Sequence, residues 1–115
     1  MLAHVKLANP TQLPSSIGAV FDNPAATKSY IRGIVLHNTN STTEDVELQF
    51  VGNSGGSLGT PGASNRFLKI SIATDETVMV EFASPLILDT HHDAIFGTTT
   101  TASKVNFIPL GDQET

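Results

Sequence analysis

Along most of the chain, apolar and polar positions alternate with a period of two, the pattern of a β-strand with one buried face. The clearest example runs from Ser29 to Val51. Ser29 to His37 is rich in β-branched and aromatic residues and reads as one long strand. Asn38 to Asp45 consists of Asn, Thr, Ser and acids, whose short side chains bond nearby backbone and favour turns. Val46, Leu48 and Phe50 then face one way, and Glu47 and Gln49 the other. The expected unit is a hairpin, which is marginal alone and needs partner strands from the rest of the chain.

The remaining segments repeat the pattern. Leu2 to Leu7 alternates and ends at Asn9-Pro10, so residues 1–16 read as a short edge strand or an extended N-terminal arm. Ile17 to Asp22 is a short strand closed by Asn23-Pro24. Gly52 to Asn65 is an aperiodic Gly- and Ser-rich loop, either a solvated connection between sheets or a functional element. Arg66 to Ile72 and Thr77 to Ala83 alternate across the polar Ala73–Glu76, predicting a second hairpin. Leu86, Ile87 and Leu88 follow Ser84-Pro85 and are expected to pack under the sandwich. Ala94–Thr99 and Ser103–Leu110 are the last strands, and the acidic Gly111–Thr115 is expected to fray.

About eight short strands, no helical period and no repeat define an all-β, single-domain β-sandwich, expected to be jelly-roll-like. Periodicity leaves an immunoglobulin-like topology open, although no Cys or Trp marks one.

Composition narrows the partners. A single domain of 115 residues with net charge −5 and six Lys and Arg lacks the basic footprint of a nucleic-acid or anionic-membrane binder. No apolar run approaches a membrane span, and Met1 to Lys6 lacks the basic start and long apolar stretch of a secretion signal. Without cysteine there is no disulfide, thiolate nucleophile or Cys-based zinc site. No cofactor is expected.

Candidate chemistry is sparse. His91, His92 and Asp93, with Asp89 nearby, offer metal-ligand types that would support a small metal-dependent hydrolase or a cupin-like enzyme. Adjacent strand residues point to opposite faces, however, so His91 and His92 share an ion only in a strongly turned loop. A solvated turn accounts for the same residues. His37 reads as a strand-end residue bonded to a turn. No Gly-x-Ser-x-Gly elbow occurs, and the glycines at 52, 55, 56, 59 and 62 precede a strand, without the Lys-Ser/Thr ending or helix of a phosphate loop. The expectation is that the protein is not an enzyme.

Association has better support. Met79 and Ile108 are apolar at outward positions, and Tyr30 to Leu36 is apolar on both faces, with Tyr30, Ile34 and Leu36 on one side and Ile31 and Val35 on the other. Such a strand is covered twice, by its own loops or by another subunit. The N-terminal segment suits an arm that adds to a neighbour's sheet edge. The candidate interface residues are Leu2, His4, Val5, Leu7, Leu13, Tyr30, Met79 and Ile108, with the Gly52–Asn65 loop as a further contact element.

The segment Asn23-Pro24-Ala25-Ala26-Thr27-Lys28, the strand ending in Asn38-Thr39, the acid-Thr turn at 75–77, the run Pro85-Leu86-Ile87-Leu88 and the closing Thr101-Ala102-Ser103-Lys104-Val105-Asn106 resemble small virion structural proteins of tailed bacteriophages. The likeness spans Ile17 to Gly111, with Ala26 standing where glycine is expected and a longer Gly-rich loop. It implies a capsid decoration (cement) protein, a homotrimer on the outer capsid surface of the virion that bridges neighbouring major capsid protein subunits after assembly in the host cytoplasm. The alternative it carries is a tail, baseplate or fibre-associated structural or host-binding module. One Tyr and no Trp make a poor stacking platform for glycans.

Overall fold

The computed structural model describes residues 2–115, with the side chains of residues 3–6 outside that description. Nine strands follow in order: β1 (Leu2–Lys6), β2 (Thr11–Gln12), β3 (Gly18–Asp22), β4 (Lys28–Asn38), β5 (Glu44–Val51), β6 (Arg66–Ile72), β7 (Thr77–Leu88), β8 (Ala94–Thr99) and β9 (Val105–Glu114). Sheet A has the order β1-β9-β4-β7, with β2 also on β9, and sheet B has the order β3-β8-β5-β6. All pairs are antiparallel. Since β1 and β2 both line one side of β9, they act as one broken edge strand, and the fold is an eight-stranded sandwich.

The pairing is nested. β5 pairs β6, β4 pairs β7, β3 pairs β8, and β1 and β2 pair β9. One long antiparallel ribbon has rolled over on itself, which is the jelly-roll topology. Both expected hairpins are therefore corrected. β4 lies in sheet A and β5 in sheet B, and β6 lies in sheet B and β7 in sheet A. The polar connections at 39–43 and 73–76 cross the sandwich instead of turning within a sheet. The true neighbours in sequence and space are β5 and β6, joined through the Gly-rich loop.

Two buried asparagines seat the crossings. At one end, Asn38 Nδ2 donates to the carbonyls of Thr42 and Ile72 at 2.9 Å each, and its Oδ1 accepts from the Asn40 N–H at 2.8 Å. Its backbone bonds Asp75 and Glu76 as well. One side chain thus ties the β4–β5 corner to the β6–β7 corner. At the other end, Asn23 Nδ2 donates to Thr27 and Thr90 carbonyls while Oδ1 accepts from the Ser29 hydroxyl, tying β3–β4 to β7–β8. Both asparagines are fully buried. Four corners carry a non-glycine residue in the left-handed region: Ala26, Asp75, His92 and Ser103. Ala26, at φ 54°, occupies the turn position where glycine is expected, at a cost of about 1 kcal/mol.

The core between the sheets contains Leu13, Ile31, Ile34, Leu36, Val46, Leu48, Ile95 and Phe107. Ile31 shares the inner face with Ile34 and Leu36, a correction to the simple alternation. The register of β4 shifts between Ile31 and Gly33 against both β7 and β9. Against β9 this bulge at Arg32 inserts one residue and reverses the phase, leaving Tyr30 and Val35 outside. The C-terminal residues are also corrected: β9 runs through Glu114 between β1 and β4, so the expected frayed tail is a paired central strand. Asp112 there is 1% exposed and receives the Arg32 Nε–H.

Candidate functional site

The outer faces of the two sheets differ. On sheet B, Gln49 and Val51 of β5 stand beside Phe96 and Ala94 of β8, and all four are buried although they point away from the core. The Gly52–Asn65 loop covers them: the Gly62 N–H donates to Gln49 Oε1 at 2.8 Å, and Gly59 lies so close to Val51 and to the Gly52 carbonyl that it has no room for a side chain. Val51, Ala94 and Phe96 form a second small core beneath it.

The outer face of sheet A has no such cover among the described residues. Val35 is the register partner of both Met79 and Ile108, so the three form one apolar row across β7, β4 and β9. Leu110 on β9 and Ile87 on β7 extend it, beside Gly33 and Tyr30 respectively. Met79 is 53%, Ile87 48% and Leu110 41% exposed, far above what the core tolerates. Three of the eight candidate contact residues, Tyr30, Met79 and Ile108, thus share this face. Val35, Ile87 and Leu110 were missed by alternation because the bulge hides the phase of Val35, and Pro85 and Pro109 obscure the strands that hold the other two.

The rest of the candidate set divides. Leu2 is exposed on β1, paired opposite Glu114. Leu7 and Leu13 are corrected to core residues, 8% and 0% exposed. Their segment lies along the chain's own β9, which already offers the edge that an arm would seek elsewhere. The side chains of His4 and Val5 lie outside the described residues.

The histidine cluster is a tight corner between β7 and β8. The rings of His91 and His92 stack with centroids 3.6 Å apart, and His92 Nδ1 meets the Asp22 carboxylate at 3.0 Å. Asp93 turns the other way, accepting from the backbone N–H of Asn53 and of Thr90. An open cleft of about 340 Å³ beside the corner is lined by Lys28, Asp89, His91 and Glu114 among others. Among the described residues no three His, Asp or Glu side chains converge as a metal-binding group. His37, at the other end, bonds the Thr77 hydroxyl through Nδ1 at 2.7 Å, where β7 leaves its corner.

Two buried carboxylates link the corners to pH. Burial alone pushes the Glu44 carboxyl up, but bonds from Asn40, the Thr101 backbone and Thr99 outweigh it and hold the pKa below its ordinary value. Asp93 shows the same balance, with burial opposed by Asn53 and the Thr90 backbone. A depressed folded pKa stabilises above the unfolded pKa, and that stability is lost as pH falls through the folded value. The urea midpoint is therefore expected to hold above about pH 5 and to decline below about pH 4. Glu44→Gln should be less stable at neutral pH by about 2 kcal/mol, losing charge-assisted bonds, and should decline less on acidification.

Fold and surface define the class: a jelly-roll β-sandwich with one apolar outer face sealed and the other uncovered among the described residues. Comparisons with protein-family models, with curated proteins and with solved structures return no match.

Proposed function

We propose that the protein is a capsid decoration (cement) protein of a tailed phage, a non-enzymatic homotrimer that binds the outer surface of the assembled shell. The observation that carries this reading is the uncovered row of Met79, Val35 and Ile108 on sheet A, in a chain whose other outer apolar patch is sealed by its own loop. An apolar patch rimmed by polar residues marks a protein contact. The resemblance described above supplies the partner, the major capsid protein. A binder of the assembled shell alone stabilises that state by mass action, and several modest contacts per trimer act together through effective concentration.

Mixing purified protein with heads stripped of it tests the reading. Rebinding at shell-wide copy number is expected, and Ile108→Glu, which places a charge at the β9 end of the row beside Val35, should reduce occupancy at least tenfold with an unchanged circular dichroism spectrum. Binding confined to one vertex or to the tail fraction would overturn the decoration reading in favour of the tail or baseplate alternative. Deleting Met1 to Asn9 is a poor probe of contact, since it removes β1 and the buried Leu7.

A further inference from the structure

The two narrow sides of the sandwich close differently. Beside β1, β2 and β3, the chain buries Leu7, Leu13 and Phe21. On the opposite side, β6 and β7 are the end strands of sheets B and A. There the inner-face residues Leu68, Ile70, Val78, Val80 and Phe82 pack on the core but remain only half-buried. Phe67 and Phe82 meet edge-on across the gap, with ring centroids 6.2 Å apart. Two neighbouring sheet ends with an apolar seam between them are a template for further strands.

We propose that this seam is the contact between copies of the chain, with β6 of one copy adding antiparallel to β7 of the next. Three features choose a second copy as the occupant and fix the register. Pairing Lys69 with the partner's Glu81 sets Ile70 opposite the partner's Val80 and Leu68 opposite the partner's Phe82, so half-buried apolar residues meet each other. The same register places opposite charges directly across from one another, Lys69 and Glu81 both being exposed, and opposite-charge cross-strand pairs favour association. It also brings the partner's Met79, 53% exposed, over Ser71. Ser71 lies in a cleft of about 340 Å³ formed with Asp45, Lys69 and Ile70. Each copy carries both halves of the contact, so it repeats head-to-tail, and with the three copies of the decoration reading the repeat is a closed ring.

This contact deepens the decoration reading and rests on it for the number of copies, but it is tested separately. Sedimentation equilibrium of the full chain at micromolar concentration should give a trimer mass. Lys69→Glu and Glu81→Lys should each weaken association at least tenfold, and the double exchange K69E/E81K should restore it. Lys69 faces Glu47 within its own sheet, so E81K is the second, independent probe, with melting temperature confirming that each variant folds. A wild-type monomer at every concentration, single reversals without effect, or a double variant as weak as the singles would overturn the assignment. A trimer that behaves as expected but fails to rebind stripped heads supports the contact and counts only against decoration.

Discussion

Replacing Gly111 with alanine is expected to lower the melting temperature by more than about 10 °C, the largest effect of any single methyl group in this chain. Gly111 sits on β9 opposite Ile31, at the bulge where β4 presses an extra residue toward its neighbour. A Cβ at this position would overlap the Tyr30 carbonyl oxygen and crowd the Tyr30 carbonyl carbon and the Arg32 amide. Those are backbone atoms of the strand between β9 and β7, so no rotamer change relieves the contact. Either the bulge moves or the β4–β9 ladder opens, at a cost of about 3 kcal/mol or more. For a domain of this size each kcal/mol shifts the midpoint by about 4 °C. Gly62→Ala is the control, because a Cβ there meets nothing and the backbone is extended. Differential scanning calorimetry of both variants decides the matter, and a G111A midpoint within a few degrees of wild type would mean that the bulge is not fixed.

Asn38→Ala should cost a comparable amount, about 3 kcal/mol, although it removes only one small side chain. The amide satisfies two carbonyls and one N–H in two different corners. Truncation leaves three polar backbone groups without those bonds near a fully buried site, and each unsatisfied group costs about 1–3 kcal/mol if water fails to reach it. Asn38→Asp separates hydrogen bonding from volume. A carboxylate keeps the acceptor for Asn40 but faces the Thr42 and Ile72 carbonyls with negative charge. Its folded pKa is therefore raised, so the added stability belongs to the protonated form and is lost as pH rises through that value. Urea unfolding should show N38D recovering stability toward acid, opposite in sign to the wild-type dependence set by Glu44 and Asp93. Parallel pH profiles for N38D and wild type would show that Asn38 is a spacer and not the clasp of the corners.

The site was legible only in fragments. Met79 and Ile108 could be placed outward because each lies in an uninterrupted alternating run. Tyr30 was outward for a reason the alternation had reversed, since the Arg32 bulge shifts the phase of half its strand. Leu7 and Leu13 carried the signature of an extended, proline-broken arm, and nothing local distinguishes an arm that reaches a neighbour from one that lies along its own β9. The cover over sheet B was hidden for a similar reason: a Gly-rich loop has no period, and its role follows from Gln49, Val51 and Phe96 lying beneath it.

Alternation by itself determined that the protein is all-β, where most strands lie and which residues of the unbroken ones face the core, because each of these is a property of a few consecutive residues. Partnership was decided only by the tertiary structure. Lys28 pairs with Glu114 and Ser29 with Leu88, contacts whose identity no local pattern encodes. The connections 39–43 and 73–76 look like hairpin turns in composition, and they become crossings between sheets because Asn38 binds both at once. The left-handed residues that bend other corners, Ala26, His92 and Ser103, are not glycines and give no sequence signal. A period of two specifies which way a side chain points; the burial of the whole rolled ribbon specifies what it points at.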